Sequence, residues 1–381
     1  MTDLNKYNAK LVDEDTLEEE DKYEEEEEEK VTFQYDPEKI NIVTREPTIE
    51  QLLRRIDEEA LDLAPDFQRQ ANIWTPEAKS KLIESILIRI PLPAFYIDAT
   101  NEDKWVVVDG LQRLSAMKQF MIDKTDKRLK LVGLEYLKDL NDKTYDELER
   151  RYKRRILETQ VTVYLIEKGT PLEVKFNIFK RINTGGVRLS NQELRHALNP
   201  GKATKILANL ASYPEFKRVV NLTDSKIKRM DDREFVLGFI AFYLISYKEY
   251  QDETRDSFLS KALSKVNSLS QQEITKLEMD FKKSMIAAFD IFNGNAFRKI
   301  SRKNTRKFPI NKSLFEVWSV NLGKLDIQSI EILKERKKEL INNFITYVDN
   351  DTEFLVSISQ AANKIEHRFE TVEKIIKEVL S

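Results

Sequence analysis

From residue 40 onward the chain switches between two hydrophobic spacings, and each predicts its own elements. Residues 40–44 alternate apolar and polar side chains, as a short strand does. Thr48, with Gln51 three positions on, reads as a capping box. Ile49, Leu52, Leu53 and Ile56 then share one side of a helix running to about residue 59. Thr75-Pro76 opens a second helix to about residue 89, because proline suits the first helical position; its inner face is Leu82, Ile83, Ile86 and Leu87, and Pro91 and Pro93 lie beyond its end. "AFYIDA" (94–99) and "KWVVVD" (104–109) are strands joined by a polar loop, as in a hairpin or its close relative. A helix over 111–121 turns Leu114, Met117, Phe120 and Met121 inward. An amphipathic helix around 144–157, a strand over 160–168 and helices over 171–182 and 189–198 follow, the last with Ser190 as N-cap and Glu193 at its third position. Beyond residue 200 strand spacing fades, and amphipathic runs recur at 202–219, 231–250, 255–267, 271–292, 312–320, 327–347 and 351–380. The pattern predicts an α+β fold class, a mixed domain over residues 38–200 followed by an all-helical domain over 201–381.

Composition narrows the chemistry. No stretch approaches the roughly 18 consecutive apolar residues of a membrane span, so no membrane partner is expected. The first 20 residues contain no apolar leader, and the absence of cysteine removes disulfides, thiolate nucleophiles and Cys-ligated metals, which makes the cytoplasm the default compartment. His196 and His367 are the two histidines, neither in a metal-binding spacing, which argues against a histidine-rich metal site or an HNH-type nuclease centre. Catalysis would fall to Asp, Glu, Lys, Arg, Ser, Thr or Tyr.

The net charge of −3 hides an asymmetry. Residues 1–37 carry 15 acids against 4 lysines, and the remainder carries 59 bases against 51 acids. The run "EEEDKYEEEEEEK" (18–30) repels itself and has little to bury, which predicts a disordered acidic tail over 1–37. Such a tail can simply solubilise the chain, or it can mimic nucleic acid and compete for a basic surface on the body.

Three stretches hold more polar groups than turns require: "DFQRQ" (66–70), "DGLQR" (109–113) and "KRINTGGVRLSNQEL" (180–194). Asp109 leaves a buried strand, and its carboxylate can hold a divalent cation such as Mg²⁺ or orient a water. Gly110 permits positive φ, the first amides of the helix from 111 favour an anion, and Arg113 can grip phosphate through two hydrogen bonds. The competing reading is a common Asp-Gly turn in which Asp109 caps that helix and Arg113 pairs with it. Asn183, Gly185 and Gly186 can present a concave row of amides to an anion, or can serve as a helix C-cap and connector. No GxxxxGK[ST] loop occurs. In "FRKISRKNTRKF" (297–308), Arg298, Lys299, Arg302, Lys303, Arg306 and Lys307 can follow a DNA backbone in a salt-dependent, sequence-independent way, or form a solvated loop.

The blocks "FQRQANIW", "LIESILIRIPLP", "VVVDGLQRLSAM" and "FNIFKRINTGGVRLSNQELR", in this order, resemble the N-terminal domain family of GmrSD-type restriction systems over roughly residues 45–200. The resemblance implies a core like that of the ParB and sulfiredoxin fold, nucleotide (NTP) binding with possible Mg²⁺, NTP hydrolysis, and a role in DNA restriction and phage defence. By position it implicates Asp109, Gly110, Gln112 and Arg113 from the family's Asp-Gly-Gln-Gln-Arg signature, Gln68 and Arg69 from "FQR", and Arg181, Asn183, Thr184 and Gly185 from the later block. Asp109, Gln112 and Arg113 are the catalytic candidates and the others the nucleotide-binding ones. Two departures stand out. Position 111 is Leu where the family often has Gln, so binding is better supported than hydrolysis. The His-centred nuclease domain of longer relatives has no counterpart here, which implies a separate nuclease or effector subunit as partner alongside DNA. The expected function is therefore a nucleotide-binding component of a restriction or phage-defence-type system acting on or with DNA, with NTP hydrolysis less well supported than binding. Its rivals are a non-enzymatic DNA-binding or regulatory module and a metal-dependent nuclease.

Overall fold

A computed structural model describes residues 40–63, 74–124, 128–182, 190–199, 201–250, 254–304, 306–359 and 364–381. The acidic tail, and the stretches carrying Gln68, Arg69, Asn183, Thr184 and Gly185, lie outside the described residues. The chain divides into two units, one ending at Leu198 and the other beginning at Asn199.

The first unit is built on a five-stranded sheet of order β1-β5-β3-β4-β2. Its strands are β1 (Ile42–Arg45), β2 (Leu61–Asp62), β3 (Phe95–Asp98), β4 (Trp105–Asp109) and β5 (Val163–Ile166). β1 pairs antiparallel with β5, β5 parallel with β3, β3 antiparallel with β4, and β4 parallel with β2. The expected adjacency of β3 and β4 is observed. β2 is too short to leave a periodic trace in the sequence.

Strand alternation sends Phe95, Ile97, Val107, Val163 and Leu165 to one face. There they form a core with helices α1 (Ile49–Asp57), α2 (Pro76–Leu87), α3 (Leu111–Met121) and α4 (Arg150–Leu157). Ile49, Leu52, Leu53 and Ile56 of α1 are buried, and Thr48 and Gln51 form the reciprocal capping box that their spacing predicted. Thr75 caps α2 with Pro76 at the first position. Where one amphipathic helix was expected around 144–157, a short 3₁₀ turn at Tyr145–Glu147 precedes α4.

The opposite face carries a smaller core of Val108 and Ile166 with Phe176 and Phe179 of α5 (Leu172–Ile182) and Leu194 and Leu198 of α6 (Asn191–Leu198). α5 is also tied to this face by charge. The buried Lys175 Nζ lies 3.0 and 3.2 Å from the Asp98 carboxylate oxygens and also donates to Thr100. Ser190 and Glu193 bond reciprocally at the start of α6, as their spacing predicted.

The second unit is helical among the described residues. α7 (Lys202–Ala211), α8 (Pro214–Val220), α9 (Asp224–Lys228), α10 (Asp231–Leu244), α11 (Arg255–Ser268), α12 (Gln271–Phe292), α13 (Lys312–Lys324), α14 (Ile327–Glu335), α15 (Lys337–Asn350), α16 (Thr352–Ser357) and α17 (Ile365–Leu380) surround a core rich in phenylalanine, with the buried Trp318 in it. Its polar centre is Glu316, which accepts from Arg255 at 2.5 Å and Arg368 at 3.1 Å. Gly238 makes room for that carboxylate, since a Cβ there would lie 2.7 Å from Glu316 Oε1. No described helix is long and apolar enough to cross a membrane.

Candidate functional site

The stretch "VVVDGLQR" becomes a site through two local irregularities. The first is a bulge in the β3/β4 ladder. Ile97 pairs with Val107 and Tyr96 pairs with Asp109, so Val108 is the extra residue. Simple alternation would give Asp109 the face of Val107, inside the main core. The extra residue instead aligns it with Tyr96, because cross-strand partners share a face and a bulge re-aims the residues beyond it. The second is Gly110, with φ of 96°. A Cβ at this position would sit 2.3 Å from Phe95 Cδ1, so conformation and space both require glycine. α3 starts immediately afterwards, with Gly110 as an N-cap that offers no side-chain hydrogen bond.

Arg113, in the first turn of α3, holds this junction together. Its Nη2 lies 2.9 Å from Asp109 Oδ2 and 3.1 Å from the Ala94 carbonyl, its Nη1 donates to the Pro93 carbonyl, and its guanidinium lies 4.4 Å from the centre of the Phe95 ring. The ion pair is unevenly covered: the Arg113 side chain is 11% exposed and that of Asp109 30%. Burial pushes the Asp109 carboxyl above its ordinary range, outweighing Arg113 and the Gly110 N–H, which pull it down. Burial likewise lowers Arg113 against the pull of Asp109. Both partners are therefore held at some cost in their charged forms.

This geometry sorts the expected roles. Asp109 does not cap α3, but the pairing with Arg113 foreseen as the structural alternative is present. Three hydrogen bonds from Arg113, to Asp109 and to the Pro93 and Ala94 carbonyls, make it a positioning residue for the carboxylate. Gln112 occupies the first turn of α3 and is partly exposed. Arg181 is exposed in the last turn of α5, and no hydrogen bond or ion pair joins it to Asp109 among the described residues. Whether Gln68, Arg69, Asn183, Thr184 and Gly185 join them falls outside the described residues. Among those described, no group of three acidic or histidine side chains is placed to hold a metal. Asp109 fits Mg²⁺ only as the single carboxylate that meets an ion already carried by phosphates.

The basic segment of the second unit is partly bound to its own fold. Ser301 Oγ and the Arg302 amide donate to the Asp349 carboxylate at 2.5 and 3.0 Å, and Lys303 Nζ reaches the Asp349 carbonyl at the end of α15. Arg302 also reaches Asn342 and Thr346, Lys299 reaches Ser359, and Arg298 donates to the Phe308 carbonyl. Arg306 and Lys307 are exposed at the end of this segment. His196 is buried in α6, and His367 lies on α17 with Nε2 3.8 Å from Asp351.

Sequence reasoning missed Glu84. Nearly fully buried in α2, it accepts from the amides of Glu135, Tyr136 and Leu137 at 3.0, 2.8 and 2.8 Å and pins the loop before α4. It also missed Tyr96 and Tyr164, whose rings stack at 5.0 Å beside Asp109. In the sequence these are ordinary strand residues, and only the pairing register brings them to the site.

A mixed α+β module holding a carboxylate at a strand-to-helix junction is thus the class defined by fold and site. Residues 49–199 match the family model of the GmrSD restriction endonuclease, N-terminal domain. No curated protein and no solved structure matched it.

Proposed function

We propose that this chain is a nucleotide-binding component of a restriction or phage-defence system that acts on or with DNA, with its ligand seated at the β4–α3 junction. The observation that carries the reading is Asp109: a carboxylate brought out of the core by a bulge, kept partly exposed, raised by burial and held by Arg113 within the matched domain. In this reading Asp109 orients a water, or meets the Mg²⁺ that arrives with the nucleotide phosphates. Arg113 keeps the carboxylate in place, and Gly110 lets the backbone approach the ligand. Arg69, Gln68, Arg181, Asn183, Thr184 and Gly185 are the candidates for the phosphates, on the family pattern alone. A separate nuclease or effector subunit supplies DNA cleavage.

The test is NTP binding and turnover, with and without DNA, in the wild type and in Asp109→Ala. The reading expects binding to weaken and any turnover to fall at least about 100-fold in the variant. Equal binding and turnover in both would remove Asp109 from the site. A second reading, a DNA-binding module without turnover, is favoured by the engagement of Arg113 and the exposure of Arg306 and Lys307. It expects salt-sensitive DNA binding that survives Asp109→Ala and no NTP binding by calorimetry.

A further inference from the structure

The junction at Asp109 is one end of a row that crosses the sheet. Asp109 pairs with Tyr96, Tyr96 with Tyr164, and Tyr164 with Thr44, so four adjacent strands place these residues side by side on one face. Neighbouring strands stand about 4.8 Å apart, so the row is roughly 14 Å long, enough to underlie a polyphosphate chain. The next row along the same face is different. It runs Ile42, Ile166, Asp98 and Val106, and its one polar member is consumed by Lys175.

In the first row the two phenol hydroxyls are not consumed among the described residues. Tyr96 and Tyr164 stack with an interplanar angle of 25° and are half-buried, yet neither hydroxyl has a hydrogen-bond partner among the described residues. Thr44 is exposed at the far end. The rings thus have a packing role that fixes their positions, whereas the hydroxyls have no partner among the described residues.

We infer that Tyr96 and Tyr164 extend the Asp109 site and donate their hydroxyls to phosphate oxygens of the bound nucleotide, which rests on the nucleotide reading of that site. Ionised Asp109 cannot donate, and three hydrogen bonds of Arg113 go to Asp109 and two carbonyls, so the two phenols are the row's donors on the strands next to Asp109, with Thr44 at its far end. A phosphate oxygen takes a strong hydrogen bond from a hydroxyl, and an uncharged donor beside a carboxylate adds no second ion pair to the site. Burial, with the proximity of Tyr164 and Asp109, raises the Tyr96 phenol above its ordinary range and keeps it protonated as a donor at neutral pH.

The experiment is calorimetric titration of the full chain with Mg-NTP and with Mg-triphosphate lacking any nucleoside. The proteins are the wild type, Asp109→Ala, Tyr96→Phe, Tyr164→Phe and the double tyrosine variant. Phenylalanine keeps the ring stack, and a melting temperature within a few degrees of wild type verifies this. Each single tyrosine variant is expected to lose about tenfold in affinity for both ligands, and the double variant more. NTP binding that depends on Asp109 but is unchanged by the tyrosine variants overturns this inference and leaves the nucleotide reading standing. Weakened NTP binding with unchanged triphosphate binding overturns the assignment to phosphate, since the hydroxyls then read the nucleoside. A wild-type chain that binds neither ligand overturns the nucleotide reading and this inference together.

Discussion

Glu84 and Asp109 are carboxylates of the same unit, held in opposite ways. For Glu84 burial alone would raise the carboxyl, but three backbone amides outweigh it and hold the group below its ordinary range. For Asp109 burial wins over one arginine and one amide. Glu84 is nearly inaccessible and its acceptor capacity is spent on a loop, whereas Asp109 keeps about a third of its side chain open. The contrast separates an acid that is part of the scaffold from an acid maintained at some cost, the more usual condition of a group that works on a ligand.

The largest expected effect falls on the scaffold side. Glu84→Ala takes the acceptor from three partly buried backbone amides and should destabilise the first unit by about 2–4 kcal/mol in urea denaturation. A loss below about 1 kcal/mol would show that water replaces the carboxylate and that the contrast is overstated. Next is Gly110→Ala, where the added methyl meets Phe95 and must adopt positive φ; a loss of about 2–3 kcal/mol is expected.

Asp109→Asn should behave unlike either. Removing the carboxylate leaves the largely buried Arg113 guanidinium without its counter-ion, so a loss of about 1–2 kcal/mol at pH 7 is expected together with weaker ligand binding. The pH dependences should have opposite signs. The folded value of Glu84 is depressed, so its stabilising contribution is complete above its ordinary value of 4.5 and is lost as pH falls through the folded value. The folded value of Asp109 is raised, so protonation favours the folded state and its contribution improves as pH falls towards the ordinary 3.8. Urea titrations between about pH 3 and 7 on Glu84→Gln and Asp109→Asn, each compared with wild type, would read these slopes. Slopes of the same sign would end the distinction.

The smallest effects belong to the basic segment. Arg306→Ala with Lys307→Ala should leave stability within about 0.5 kcal/mol, yet lower the salt slope of DNA binding by about 2 if both touch phosphate. Lys303→Ala should cost up to about 1 kcal/mol, because its ammonium interacts with the end of α15.

How much of this was legible depends on the range of the forces involved. Capping and amphipathic spacing act within one or two turns, so Thr48 with Gln51, Thr75 with Pro76 and Ser190 with Glu193 were readable and are present. The run at 327–347 reads as one helix in the sequence, yet it breaks at Arg336 into α14 and α15, since amphipathic spacing continues across the corner. At the site, Asp109, Gly110 and Arg113 could be singled out as residue types, but the competing explanations could not be separated. The Pro93 and Ala94 carbonyls that engage Arg113 lie about 20 residues away.

The sequence by itself determined that an α+β domain precedes a helical one, that neither cysteine chemistry nor a histidine-rich metal site is available, and that "VVVDGLQR" is a strand-to-helix junction. Only the tertiary structure decided where Asp109 points and what stands next to it. One extra residue in β4 reverses the face on which its carboxylate emerges. Strand register, a property of the paired strands and not of either alone, then sets Tyr96, Tyr164 and Thr44 in line with it.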